Sequence, residues 1–204
     1  MIRAFLALEP SDALRQALVQ LQRDLKQRLS RDLRGGVRLS WVQPLSLHLT
    51  VKFLGDIDEH LVGPMRQILD QALAVHSPIV IPLQRLGLFP GLQKPRVLWV
   101  GPQPAWERSE GAEQLASLHR AVEDCCVSLN LAPDSRPMSP HLTLARIKEG
   151  ERAVGQVLTD SGATDRALAL DPLVVGSIVL MKSDLKPTGS VYSKLWEIRM
   201  GKGQ

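Results

Sequence analysis

His48, Thr50, His141 and Thr143 are the residues of this 204-residue chain whose types and spacing point most directly to chemistry. The tetrapeptide His48-Leu49-Thr50-Val51 returns almost unchanged as His141-Leu142-Thr143-Leu144, and the two copies hold two of the chain's five histidines. Each copy lies in an apolar-rich run, Leu45 to Leu54 and Leu142 to Ile147. In an extended strand, side chains alternate faces, so a His and a Thr two positions apart point the same way. Two strands that each aim an imidazole and a hydroxyl into one space suggest a single site built from two halves.

Four uses of such histidines compete. A lone His on an apolar strand is commonly a satisfied core residue, but recurrence of the whole unit argues against that. A metal site would need a carboxylate or a third His. Asp56, Asp58 and His60 are the nearest candidates, yet they lack zincin-type spacing, and the two aspartates read as helix-entry residues. Nucleophilic catalysis finds little support. Cys125 and Cys126 sit mid-helix in apolar surroundings, no serine occupies a G-x-S-x-G elbow, and Ser139 merely adjoins Pro140 and His141.

The fourth use is acid–base chemistry with two imidazoles. With an ordinary pKa near 6.5, one ring can accept a proton while the other gives one. In-line displacement at phosphorus needs that pair on opposite sides: a base for the incoming hydroxyl and an acid for the departing alkoxide. Thr50 and Thr143 can then donate to the non-bridging phosphate oxygens, and a cation would balance the developing charge. Strand alternation places Lys52 on the face of His48 and Thr50. Arg146 is out of phase with His141 and reaches the site only where the strand ends or bulges.

The elements that must position these groups follow from the apolar patterning. Ile2 to Leu8 forms a short apolar run ended by Glu9-Pro10. Ser11 reads as an N-cap for an amphipathic helix with Leu14, Leu18, Leu21, Leu25 and Leu29 inward, broken at Gly35-Gly36. Strands are expected over Val37 to Val42 and Ser46 to Leu54, then a helix from Asp58 to His76. Ile79 to Leu86 and Arg96 to Val100 read as strands around the loop Phe89 to Pro95, and residues 101 to 108 as a linker. A third helix over Glu110 to Leu129 precedes the proline-bearing loop that delivers His141. A short helix over Glu151 to Leu158 and strands over Ala167 to Leu170, Val174 to Leu180 and Val191 to Arg199 complete the chain. Helices packed on sheets, in an α+β or α/β fold, are the expectation.

Composition sets bounds. At 44% hydrophobic and 23% charged, the chain is an ordinary globular composition, and its net charge of +4 is compatible with an anionic ligand. No apolar run reaches the roughly 18 residues of a membrane span, and the N-terminus does not read as a secretory signal. Cys125 and Cys126 are expected to be reduced, buried helix residues of a cytoplasmic protein.

These residues also match a family. The stretches RAFLALEP, WVQPLSLHLTVKFLG (Trp41 to Gly55), FPGLQKPRVLWVG, PHLTLARIK and SDLKPTGSVYSKL together cover most of the chain. They resemble the 2H phosphoesterases, specifically the bacterial and archaeal RNA 2′,3′-cyclic phosphodiesterases first described as 2′-5′ RNA ligases. The segment Gln103 to Glu113 has no recognisable counterpart.

The resemblance implies an α+β fold of two pseudo-symmetric lobes, each an antiparallel sheet backed by helices, with a central cleft. It makes residues 1–204 one two-lobed domain, a monomer needing no metal or other cofactor. The implied reaction opens the 2′,3′-cyclic phosphate of an RNA 3′ end to a 2′-phosphate, with His48 as proton donor and His141 as proton acceptor. Thr50 and Thr143 would hold the phosphate, Arg146 matches a basic position after the second motif, and reversal would give 2′-5′ ligation. Alternatives are a phosphodiesterase of 2′-5′ oligonucleotides or of a small cyclic phosphate such as ADP-ribose 1″,2″-cyclic phosphate, and a non-catalytic RNA-end-binding protein. Trp41 and Tyr192 are candidates for base stacking, although core or lobe-packing roles suit them better.

Overall fold

The leucine spacing after Ser11 becomes helix α1 (Asp12–Asp32), and the Ser11 hydroxyl caps it by accepting from the Leu14 amide at 3.2 Å. Ser109 does the same for α3 (Glu110–Ser128) through the Ala112 amide, again at 3.2 Å. The other helices are α2 (Val62–Leu73) and α4 (Glu151–Asp160). The computed structural model describes residues 1–33, 35–134, 137–186 and 189–201. Ten strands alternate with these helices: β1 (Ile2–Leu8), β2 (Arg38–Trp41), β3 (Leu49–Ile57), β4 (Ile79–Ile81), β5 (Arg85–Phe89), β6 (Val97–Gly101), β7 (Leu142–Glu149), β8 (Leu173–Val175), β9 (Ser177–Lys186) and β10 (Gly189–Arg199).

Eight strands form one antiparallel sheet in the order β10-β9-β1-β3-β7-β6-β5, with β2 paired to the far end of β7. The halves β10-β9-β1-β3 and β7-β6-β5 meet at the pair Leu49↔Leu142, one residue past each histidine. Each half is backed by a helix that follows a strand of the other half. Helix α1 leaves β1 yet reaches β7 and the residue after β2 through Gln22, while α3 leaves β6 and lies against β3 and α2. Leu6, Leu8, Leu18, Leu49, Leu98 and Leu142 fill the helix side, all essentially inaccessible. Burying each is worth about 1.5–3 kcal/mol. A small second cluster of Phe5, Ala7, Val179 and Met181, with Tyr192 against it, lies on the open side.

Several expected strands differ from those observed. Ser46 belongs to a 3-10 turn (Pro44–Ser46), and β3 starts only after His48. The run Ile79 to Leu86 divides into β4 and the start of β5. Ala167 to Leu170 is not a strand; the neighbouring Leu173–Val175 pairs with β4 in a separate two-stranded sheet. Residues 167–170 are apolar throughout, but the partner edge lies elsewhere, and strands exist only where a ladder can form. Residues 101–108 contain a 3-10 turn (Pro104–Arg108) instead of a plain linker.

Two bulges matter for the site. In β3, Ala7 pairs with Thr50 but Leu6 pairs with Lys52, so Val51 is the extra residue. In β7, Trp99 pairs with Thr143 but Leu98 pairs with Ala145, so Leu144 is the extra one. A bulge resets the alternation of everything beyond it. Gln22, buried in α1, donates through Nε2 to Val42 O and to Leu144 O, both at 2.9 Å. Gln22→Ala removes this donor from both carbonyls, Leu144 O keeping the Val42 amide at 2.9 Å, and a urea titration should show a loss of about 1–2 kcal/mol.

Candidate active site

Each motif histidine is fixed by the main chain two residues before it. His48 Nδ1 lies 2.7 Å from Ser46 O, and His141 Nδ1 lies 2.7 Å from Ser139 O. A carbonyl only accepts, so Nδ1 must carry the proton in both rings, and each Nε2 is left to take or give one. Thr50 Oγ1 lies 3.1 Å from His48 Nε2. Ser139 is thus a ring holder through its carbonyl, not a nucleophile. The matching serines two residues before each histidine were a visible signal, but a carbonyl places no demand on residue type.

Register completes the arrangement. Extending the pair Leu49↔Leu142 by one residue each way sets His48 against Thr143 and Thr50 against His141. The four motif side chains therefore occupy one face of the sheet, related by a pseudo-twofold axis through the leucine pair. Phe5 and Trp99, from the flanking strands β1 and β6, share that face. Phe5 and Tyr192 pack against the His48 ring at centroid distances of 4.8 and 5.4 Å. Phe89 and Trp99 pack against His141 at 5.0 and 6.0 Å. These walls were not legible as such in the sequence, apart from Tyr192.

The bulges reverse two expectations about cations. Lys52 does not share the face of His48 and Thr50. The extra residue Val51 turns it to the helix side beside Leu6, where its Nζ pairs with both Glu123 carboxylate oxygens at 2.7 Å and donates to Ala132 O at 3.0 Å. Lys52 is thereby removed from the list of phosphate contacts. Arg146 gains what Lys52 loses. With Leu144 as the extra residue, Arg146 pairs with Val97 and returns to the face of Thr143 and Trp99. It is exposed, has no ion-pair partner among the described residues, and its charge depresses the pKa of both His48 and His141.

Burial is the larger cause of that depression. It holds both imidazoles below their usual pKa, against the carbonyl contacts of Ser46 and Ser139, which raise it. Glu9 also raises His48, whereas no carboxylate among the described residues acts on His141. The competing candidates fall elsewhere. Burial pushes the Cys126 thiol up to about 12, so it is no thiolate nucleophile. Asp58 accepts from the His60 amide and pairs with its ring at 2.8 Å, at the entry to α2. Trp41 lines a cavity of about 400 Å³ with Leu29, Leu33 and Leu39, away from the histidine face, and packs on the core. Among the described residues, no three His, Cys, Asp or Glu side chains converge as metal ligands.

Two imidazoles whose Nε2 atoms are not held by the main chain, two hydroxyls and a guanidinium with no ion-pair partner among the described residues share one surface, which suits acid–base displacement at phosphorus, the chemistry of a phosphoesterase. The family model described as LigT like Phosphoesterase matches residues 8–99 and 107–192, and the chain belongs to that family. The unmatched residues between overlap the stretch from Gln103 that resembled nothing. The RNA 2′,3′-cyclic phosphodiesterase of Aquifex aeolicus is 28% identical over 98% of each chain. That of Aeropyrum pernix is 30% identical over 80% of this chain and 88% of its own. The crystal structure of TT0787 of Thermus thermophilus superposes over the full length of both chains with a TM-score of 0.68 at 24% identity, and Escherichia coli LigT over 98% of both with 0.64 at 19%. The fold is theirs.

Proposed function

We propose that the protein is a phosphodiesterase that hydrolyses the 2′,3′-cyclic phosphate of RNA 3′ ends to a 2′-phosphate. The observation that carries this reading is the pair of imidazoles anchored identically through Nδ1, one from each half of the sheet, with the threonines between them. The relatives that span nearly the whole chain bear the same activity in their names.

In the proposed reaction His141 Nε2 takes a proton from water as its oxygen bonds to phosphorus. The bond from phosphorus to O3′ breaks, and His48 gives its Nε2 proton to that oxygen. Thr50, Thr143 and Arg146 hold the non-bridging oxygens, whose charge grows in the transition state. By microscopic reversibility the same groups would join a cyclic end to a 5′ hydroxyl in a 2′-5′ linkage. The reading includes a monomeric, cytoplasmic enzyme acting as one two-lobed unit, in keeping with its free, buried Cys125 and Cys126.

An oligoribonucleotide with a 2′,3′-cyclic end, incubated in EDTA, should give the 2′-phosphate alone. A 3′-phosphate product, or turnover only with added metal, overturns the proposal. Arg146→Ala should lower kcat by roughly 10²–10³-fold and raise the pKa of both histidines, because a neighbouring cation is removed from each.

A further inference from the structure

The pseudo-twofold axis makes the two half-sites alike in His and Thr, yet their surroundings differ at the cross-strand positions. In β1, Leu8 pairs with Leu49 and Ala7 with Thr50, and continuing that register one residue past the ladder sets Glu9 across from His48, on the face of Ala7. In β6, Val100 pairs with Leu142, so the residue across from His141 is Gly101. Directly opposed residues have Cβ atoms about 5 Å apart. The position across from His48 thus carries a carboxylate residue and the position across from His141 carries no side chain. Gly101 has no room for one: a Cβ there would lie 2.8 Å from Pro140 O and 3.0 Å from the Trp99 ring.

The residues beyond the two equivalent bulges add a second asymmetry. Arg146, three residues beyond Thr143, corresponds under the axis to Phe53, which pairs with Phe5 on the cleft face. Anion and cation are thus placed without symmetry around two otherwise equivalent imidazoles. We propose that Glu9 is the positioning residue that makes His48, and not His141, the acid of the pair. This rests on the hydrolytic reading above and goes beyond it, since the motifs alone assign neither role.

The other charges around His48 are accounted for. On β7, Arg146 and His141 both disfavour its proton. Lys194 of β10 pairs with Glu9 at 2.6 Å and with Glu197 at 3.2 Å, so it moderates Glu9 without cancelling it. Arg15 of α1 is committed to the carbonyls of Pro10, Pro44 and Leu47. On β9, Lys182 and Asp184 pair with each other at 3.5 Å. Tyr192 meets the His48 ring edge-on. Glu9 is the only carboxylate among the described groups that acts on the ring in favour of its charged form.

Imidazole NMR titrations of the free protein and pH profiles of kcat/KM test this together. A carboxylate favours the imidazolium, so Glu9→Gln should lower the His48 midpoint by roughly half a unit to one unit and leave His141 in place. The alkaline limb of the profile, which needs protonated His48, should move to lower pH by the same amount, with the acid limb fixed. Lys194→Met frees Glu9 and should raise the His48 midpoint, an effect that shrinks in the Glu9→Gln background. An unmoved His48, an equal movement of His141, or a His48 shift without movement of the alkaline limb overturns the proposal. The NMR arm reads the ligand-free protein, so it stands whether or not RNA proves to be the substrate.

Discussion

Replacing His48 or His141 with alanine should lower kcat for opening a 2′,3′-cyclic phosphate by roughly 10²–10⁴-fold in each case, the range that one positioned acid or base supplies. On the barrier this is about 3–5.5 kcal/mol. Both rings sit half-buried on the open face of the sheet, and neither belongs to the core behind it. Thermal and urea unfolding of the two variants should therefore stay close to wild type. The double variant should be no worse than about the slower single one, because acid and base act on one event and their deletions do not add. Measured by single-turnover kinetics, a loss under tenfold in either variant contradicts the assignment of that ring.

Lys52→Ala should have the largest effect on stability, about 3–5 kcal/mol, the usual penalty for stranding a buried charge. Its side chain is 1% exposed and that of its partner Glu123 is 14% exposed, at 2.7 Å. Truncation leaves the carboxylate against Cys126 and the core, where the described residues offer it the Asp134 amide at 3.1 Å and the His119 ring at 3.6 Å but no other lysine or arginine. Lys52→Met combined with Glu123→Leu should recover most of that loss, since a buried ion pair can often be exchanged for apolar groups of similar volume. A solvated phosphate ligand would behave otherwise: its loss would raise KM and leave unfolding unchanged. Urea titrations beside Michaelis kinetics separate the two.

The contrast between Lys52 and Arg146 shows where the sequence stopped being legible. The repeat of His-Leu-Thr fixes which residues share a face, because one step of alternation is all it needs. Beyond the threonines, alternation predicts Lys52 inside the cleft and Arg146 outside it, and both are reversed. The cause is one extra residue in each strand, Val51 and Leu144. A bulge leaves no mark in residue type: valine and leucine are ordinary strand residues, and the partner that accommodates Leu144, Gln22, is more than a hundred positions away. Arg146 reaches the cleft through just such a bulge, which the sequence allowed but could not decide.

The helices were easier to read, since capping serines and leucine spacing are local signals. The strands after α4 were harder, because a ladder depends on where an open edge lies. Glu9 illustrates a third limit. As part of a Glu-Pro stop it reads as punctuation, and only the pairing of Leu8 with Leu49 sets it across from His48.

The division of labour between the two histidines is tested most directly by changing the leaving group. In a substrate whose 3′ bridging oxygen is replaced by sulfur, the departing thiolate needs no proton, as thiols ionise near pH 8.5. His48→Ala should then cleave at close to the wild-type rate, while His141→Ala should remain slow. Rescue of His141→Ala in place of His48→Ala, or of neither variant, contradicts the placement of His48 as the acid beside the leaving oxygen.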